Sequence, residues 1–169
     1  MPDSSRFGRL AWLWLTLLVF LLDQGTKQMV LQLLEYGQRV VVIDGYFEWT
    51  HVYNRGAAFS FLAGESGWQR WFFAAIAVTV SGVLVVWLKR LKSDETWLAI
   101  ALALVLGGAL GNLYDRVVLG HVVDFILVHW QNQYYFPAFN AADSAISVGA
   151  VMLALDMFKS KKSEEPARD

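Results

Sequence analysis

The sequence predicts an all-α membrane protein: a four-transmembrane-helix bundle with a small β-containing extracytoplasmic platform and both termini in the cytoplasm. Three observations predict it. Hydrophobic residues make up 56% of the 169 positions and charged residues only 17%, whereas soluble domains run at about 45–50% and 25%. Four apolar stretches reach spanning length. Nine of the fourteen Lys and Arg residues fall on one side of those stretches.

The first span covers residues 10–34. It is uncharged through Leu22 and interrupted by Asp23-Gln24-Gly25-Thr26-Lys27. Twenty-five residues at 1.5 Å each give roughly 37 Å, enough to cross a hydrocarbon core of about 30 Å. Arg6 and Arg9 ahead of it resemble the start of a secretory signal. No small-residue cleavage site follows, so the segment reads as a retained anchor. The second span covers 68–88 and the third 97–117, each with an 18-residue uncharged run. The fourth covers 139–158 and holds Asp143 and Asp156.

Arg6 and Arg9 precede span one. Lys89, Arg90 and Lys92 link spans two and three. Lys159, Lys161, Lys162 and Arg168 follow span four. The positive-inside rule places all of these in the cytoplasm. The outward connections are then 35–67 and 118–138. The first holds strand-like text at Val40–Ile43 and Tyr46–Tyr53 around Asp44-Gly45, a hairpin turn pair. The second is rich in Val, Tyr, Phe and Trp. The whole chain, 1–169, reads as one integral-membrane domain.

Net charge is −1 and no basic stripe with interleaved aromatics occurs, so nothing points to a nucleic-acid partner. The chain has no Cys, which excludes disulfides, thiolate metal sites and a Cys nucleophile. No residue pattern calls for a metal or another cofactor; His51, His121 and His129 lack ligand spacing.

A charge inside a span costs at least about 2.5 kcal/mol on insertion scales, so each one asks for a reason. Asp23 lies roughly 20 Å along span one, in its outer half. Asn112, Asp115 and Arg116 close the third span, and Asn140 and Asp143 open the fourth. Asp124 lies in the connection between those two. All gather at the outer level. Asp23 and Lys27 share a helix face, as do Asn112, Asp115 and Arg116, and as do Asn140, Asp143, Ser144 and Ser147. Gly107, Gly108 and Gly111 permit close helix approach.

Two neighbouring carboxylates beside apolar surface do not both ionise easily; one keeps a proton while the other acts as base. Such a pair can activate water and protonate a carbonyl oxygen. Asp23 has Lys27 one turn away and reads first as an ion pair. Asp115 has Arg116 beside it and reads as a helix-end pair or, through Arg116, as a hold on a phosphate or carbonyl. Asp124 and Asp143 have no basic neighbour and rank first as the acid–base pair. Asp143 with Asn140 also suits a helix N-terminus, and Asp124 also suits a solvated loop. Asn54-Arg55-Gly56 reads as a turn first and a substrate contact second. A Ser–Lys pair of Lys27 with Ser60 or Ser144 ranks below the carboxylates. There is no HExxH, GxSxG or P-loop motif.

Five segments in order resemble lipoprotein signal peptidase, the signal peptidase II family of bacterial membrane aspartyl proteases. They are Asp23-Gln24-Gly25-Thr26-Lys27, Asn54-Arg55-Gly56-Ala57-Ala58-Phe59, Gly111-Asn112-Leu113-Tyr114-Asp115-Arg116, Val122-Val123-Asp124-Phe125 and Phe139-Asn140-Ala141-Ala142-Asp143. The resemblance implies an endopeptidase that cuts diacylglyceryl-modified prolipoproteins just before the lipidated Cys. It places the catalytic dyad at Asp124 and Asp143. It sets Asn54, Gly56, Asn112, Arg116 and Asn140 around substrate and dyad, with Asp23, Lys27 and Asp115 as supports. It implies the inner membrane of a bacterium, a site near the periplasmic face, contact with membrane lipid and inhibition by globomycin-type cyclic peptides. Four spans suffice for a monomer. Trp49, Tyr53 and Phe59 of the platform are expected to lie on the membrane and cover the substrate.

Two rival readings use the same residues. A proton-coupled carrier needs polar residues through the full bilayer depth, but the cytoplasmic halves of these spans are nearly bare. A non-enzymatic scaffold gives no reason for pairing Asp124 with Asp143.

Overall fold

The computed structural model describes residues 8–56 and 67–163, with side chains to residue 158. Arg6, Ala57, Ala58, Phe59, Ser60 and Arg168 lie outside the described residues, as do the side chains of Lys159, Lys161 and Lys162.

Four long helices form the body. A 3-10 turn, Leu10–Trp12, leads into α1 (Leu13–Leu33), followed by α2 (Trp68–Arg90), α3 (Thr96–Val118) and α4 (Ala141–Ser163). The span expected at 10–34 is therefore a tight turn and then a helix. Arg9 holds that turn to the base of the bundle, its backbone N–H bonding the Leu88 carbonyl at 3.2 Å and its guanidinium donating to Thr96. Leu34 is already extended.

Among the described residues, three helices are long and apolar enough to cross a membrane: Trp68–Arg90, Thr96–Val118 and Ala141–Phe158. α1 is not one of them, because the polar run from Asp23 to Gln28 offsets its leucines. Its surface nevertheless faces outward like a lipid-exposed helix. Leu17, Leu21, Leu22, Met29 and Leu33 are more than half exposed, while Thr16, Val19, Asp23 and Lys27 are buried at a spacing of three to four residues. Apolar outside and polar inside is the pattern expected when hydrocarbon is the solvent.

α3 lies at the centre and packs against α1, α2 and α4. Its glycines make this possible. A Cβ on Gly107 would meet Val19, one on Gly108 the Ala142 carbonyl, and one on Gly111 the Asp23 carboxylate. Gly149 of α4 answers in kind against Ala101 and Val105. At the opposite end Leu84, Leu88, Leu91, Ala99, Leu102 and Leu106 form an apolar core.

Strands β1 (Arg39–Ile43), β2 (Phe47–Asn54), β3 (Val122–Trp130) and β4 (Tyr134–Tyr135) form one antiparallel sheet in that order. The expected hairpin at Asp44-Gly45 is present. Gly45 has φ +78°, a left-handed angle glycine adopts without steric cost, and the Tyr46 N–H bonds the Ile43 carbonyl at 3.0 Å. The segment 118–138, expected as a loop, supplies half of the sheet's strands. Asp124 therefore sits on β3 and not in a loop, and it is buried, which removes the solvated-loop alternative. The strand escapes a period-two reading because Val122 to Phe125 are buried on both faces.

The sheet and α4 meet at one bridge, Ile126 opposite Phe139. The N–H groups of Phe125 and Ile126 reach the Phe139 carbonyl at 3.0 and 2.8 Å, and the Phe139 N–H returns to Ile126 at 3.1 Å. Because Phe139 pairs with a strand, α4 begins at Ala141 and not at 139. Asn140 is left at the threshold between strand and helix.

Candidate active site

Two linked polar clusters fill the space where α1, α3, α4 and the sheet converge. The deeper one is built on the α1 stripe. Lys27 is 1% exposed and its ammonium lies 2.7 Å from Asp23 Oδ2 and 2.9 Å from Asp115 Oδ2. Gln24 bridges the same carboxylates, its Nε2 donating to Asp115 Oδ1 at 2.9 Å and to Asp23 Oδ2 at 3.1 Å. Backbone groups complete the set: the Ala142 N–H reaches Asp23 Oδ1 at 2.9 Å and the Val123 N–H reaches Asp115 Oδ2 at 3.1 Å. Each carboxylate thus takes three donors, and the cluster ties the start of α4 and of β3 to α1. Buried charges persist only when paired and fully hydrogen-bonded in this way.

Asp115 therefore takes Lys27 as its ion partner, and the expected Asp115–Arg116 helix-end pair is not formed. Neighbouring helix positions point in different directions. Arg116 instead turns toward α2, donating to the Asn112 carbonyl at 3.1 Å, with its guanidinium 5.4 Å from the Phe73 ring centre. The charges of Asp143 and Asp124 act on it there. Lys27, committed to Asp23, Asp115 and Asn112, has no capacity left for a Ser–Lys pair; Ser144 donates to the Asn140 carbonyl instead.

The second cluster holds Asp124 and Asp143, joined through asparagines. Asn140 Nδ2 donates to Asp124 Oδ1 at 2.7 Å, its backbone N–H reaches Asp143 Oδ2 at 3.3 Å, and its Oδ1 accepts the Asp143 N–H at 2.9 Å. Asn54 Nδ2 donates to Asp124 Oδ2 at 3.0 Å. Strand register brings it there, since Val52 faces Asp124 and Asn54 faces Val122 across β2 and β3. Asn112 Nδ2 donates to Asp143 Oδ1 at 2.7 Å. Burial, with the Asp143 charge adding to it, pushes the Asp124 carboxyl up to about 7, against the two amide donors that favour its charged form.

Gly56 has φ +103° and its N–H donates to Asn54 Oδ1 at 2.8 Å. A side chain there would strike the Phe73 ring. The polar face on α4 is shorter than its spacing suggested, because Ser147 is exposed. The three histidines have other partners: His51 bonds the Leu34 carbonyl and packs with His121 on Tyr53, while His129 lies beside Glu48. Burial lowers the pKa of His121. No group of three His, Cys, Asp or Glu suited to a metal occurs among the described residues.

Two participants escape sequence reasoning. Gln24 carried the right signal, a polar residue inside an apolar stretch beside Asp23. Phe73, against Gly56 and Arg116, carried none. Chemically, the second cluster offers a buried carboxyl that holds its proton near neutrality next to a carboxylate supplied with N–H donors.

The family model described as Signal peptidase (SPase) II matches residues 15–159. The lipoprotein signal peptidase of Pseudomonas aeruginosa is 74% identical over 167 residues, 99% of each chain. That of Pseudomonas putida is 73% identical over 168 residues, covering 99% of this chain and 98% of its own. A solved bacterial membrane enzyme, determined by the in meso method, superposes with a TM-score of 0.79 at 29% identity over 94% of both chains.

Proposed function

The chain belongs to the signal peptidase II family of aspartic peptidases, and from that premise we propose that Asp124 and Asp143 are its catalytic pair. The carrying observation is that Asn140 touches both carboxylates, as donor to Asp124 and as donor and acceptor to Asp143. The substrate is a diacylglyceryl prolipoprotein, cut just before the lipidated Cys. Asp143 removes a proton from water while Asp124 protonates the scissile carbonyl oxygen, and a gem-diol forms. On collapse the C–N bond breaks and the Cys amine leaves with a proton from the dyad. No covalent intermediate is needed. Arg116 and Asn54 border the substrate, Gly56 leaves room beside Phe73, and Asn112 and Asn140 set the carboxylates.

The same reading completes the placement. α1 is the fourth span, both termini are cytoplasmic, and the sheet lies on the periplasmic face of a bacterial inner membrane. An apolar α1 surface supports this. The scissile bond of a membrane-anchored, acylated substrate lies at that interface, which is the level of the polar clusters. Membrane lipid surrounds the bundle, globomycin-type peptides compete for the site, and a monomer suffices.

The test is cleavage of a purified diacylglyceryl prolipoprotein, followed as a gel shift. Asp124→Asn and Asp143→Asn should each lower turnover at least about a thousandfold while remaining inserted and folded. Near-normal turnover by either variant refutes the pair.

A further inference from the structure

We infer that Lys27 is a positioning residue for catalysis: its ammonium fixes the side-chain amide of Asn112 so that the NH2 group, and not the oxygen, faces Asp143. The inference rests on the reading that Asp143 is the catalytic base.

An asparagine amide has one donor end and one acceptor end, and its orientation follows from partners whose roles are unambiguous. Three asparagines serve the dyad, and each is anchored by a group that can only donate. Gly56 N–H bonds Asn54 Oδ1 at 2.8 Å, and Asp143 N–H bonds Asn140 Oδ1 at 2.9 Å. Both of these anchors are backbone. Asn112 Oδ1 is held by side chains alone: by the charged Lys27 Nζ at 3.0 Å and, at a longer 3.2 Å, by Asn140 Nδ2. Consequently Asn112 Nδ2 meets Asp143 Oδ1 at 2.7 Å.

Lys27 itself is held by carboxylates on α1 and α3, so its direction is fixed before Asn112 is reached. Turning the Asn112 amide over would place an oxygen against Asp143 and stabilise its protonated form. Water activation would then need a higher pH. The charged and titratable groups acting on this corner are Arg116 and Asp115 of α3, Asp124 of β3, and Asp23 and Lys27 of α1. A role confined to holding α1 against α3 would change stability alone.

The experiment is the pH profile of kcat on diacylglyceryl prolipoprotein, with thermal stability measured in parallel. Lys27→Met removes the anchor, and the acidic limb of the profile should move up by about one pH unit. Lys27→Gln keeps an NH2 donor without the charge and should leave that limb within a few tenths of wild type. Asn112→Leu keeps Lys27 but removes the NH2 donor to Asp143 without adding a charge, and should reproduce the Lys27→Met shift; it decides the matter if Lys27→Met does not fold. An unmoved limb in Asn112→Leu overturns the inference, leaving Lys27 structural. Equal shifts in Lys27→Met and Lys27→Gln also overturn it, because charge and not amide direction is then responsible. Full activity of Asp143→Asn overturns the reading beneath it, an outcome these profiles do not imitate.

Discussion

At the scale of single residues, Asp124 carries the most specific expectation. Its carboxyl keeps a proton to about pH 7 because it is buried next to a second negative charge. If it is the acid, kcat/KM should fall as pH rises through about 7, with the apparent value belonging to the pair. A profile level to pH 9 would assign the proton elsewhere. The same shift has a stability consequence. A carboxyl whose folded pKa lies above its unfolded value of 3.8 binds more protons when folded, so stability declines as pH rises from about 4 to about 7. Thermal unfolding temperature should therefore drop between pH 5 and pH 8, and Asp124→Asn should flatten that slope. Residues also show how far reading could go. Asp23 with Lys27 was legible because four residues on one helix meet. The partnership of Lys27 with Asp115 was not, because local sequence says nothing of contacts 88 positions apart.

At the scale of elements, α2 and α3 were legible because an uncharged run of spanning length admits few alternatives. The expected ends fall within about three residues of the helix ends, except that α4 runs on to Ser163, and the late start of α4 has a cause in the Phe139 bridge. β3 was harder, since its first four residues are all buried and lack alternation, and Asp124 looked like a loop aspartate. Packing between helices depends on side-chain absence. Gly108→Ala places a methyl against the Ala142 carbonyl, which α4 cannot yield without moving Asp143. It should cost about 1–3 kcal/mol and lower activity together with melting temperature. Gly25→Ala on α1, where nothing lies within 4 Å, should be neutral or raise stability by up to about 1 kcal/mol. Equal losses in the two variants would mean that the contact with Ala142 does not set the cost.

At the scale of the whole molecule, the proposed topology can be tested because the chain is free of cysteine. Single-cysteine variants at Asn132, in the β3–β4 turn, and at Lys92, between α2 and α3, should react oppositely with a membrane-impermeant thiol reagent applied to intact spheroplasts. Labelling of Asn132→Cys alone supports a crossing by α3 with the sheet outside, as the proposed arrangement requires; labelling of both, or of Lys92→Cys alone, refutes it. The arrangement around α3 also bears on how the protein is made. Asn140 and Asp143 arrive at the start of α4, the last helix in the chain, and the Ala142 N–H must reach back to Asp23 on the first. A nascent chain still lacking that final segment holds Asp124 without its counterpart. With Asp124 and Asp143 as the proposed catalytic pair, ribosome-bound intermediates should be inert toward the lipoprotein precursors inserting around them, and hydrolytic competence should begin only once synthesis has passed the start of the fourth helix.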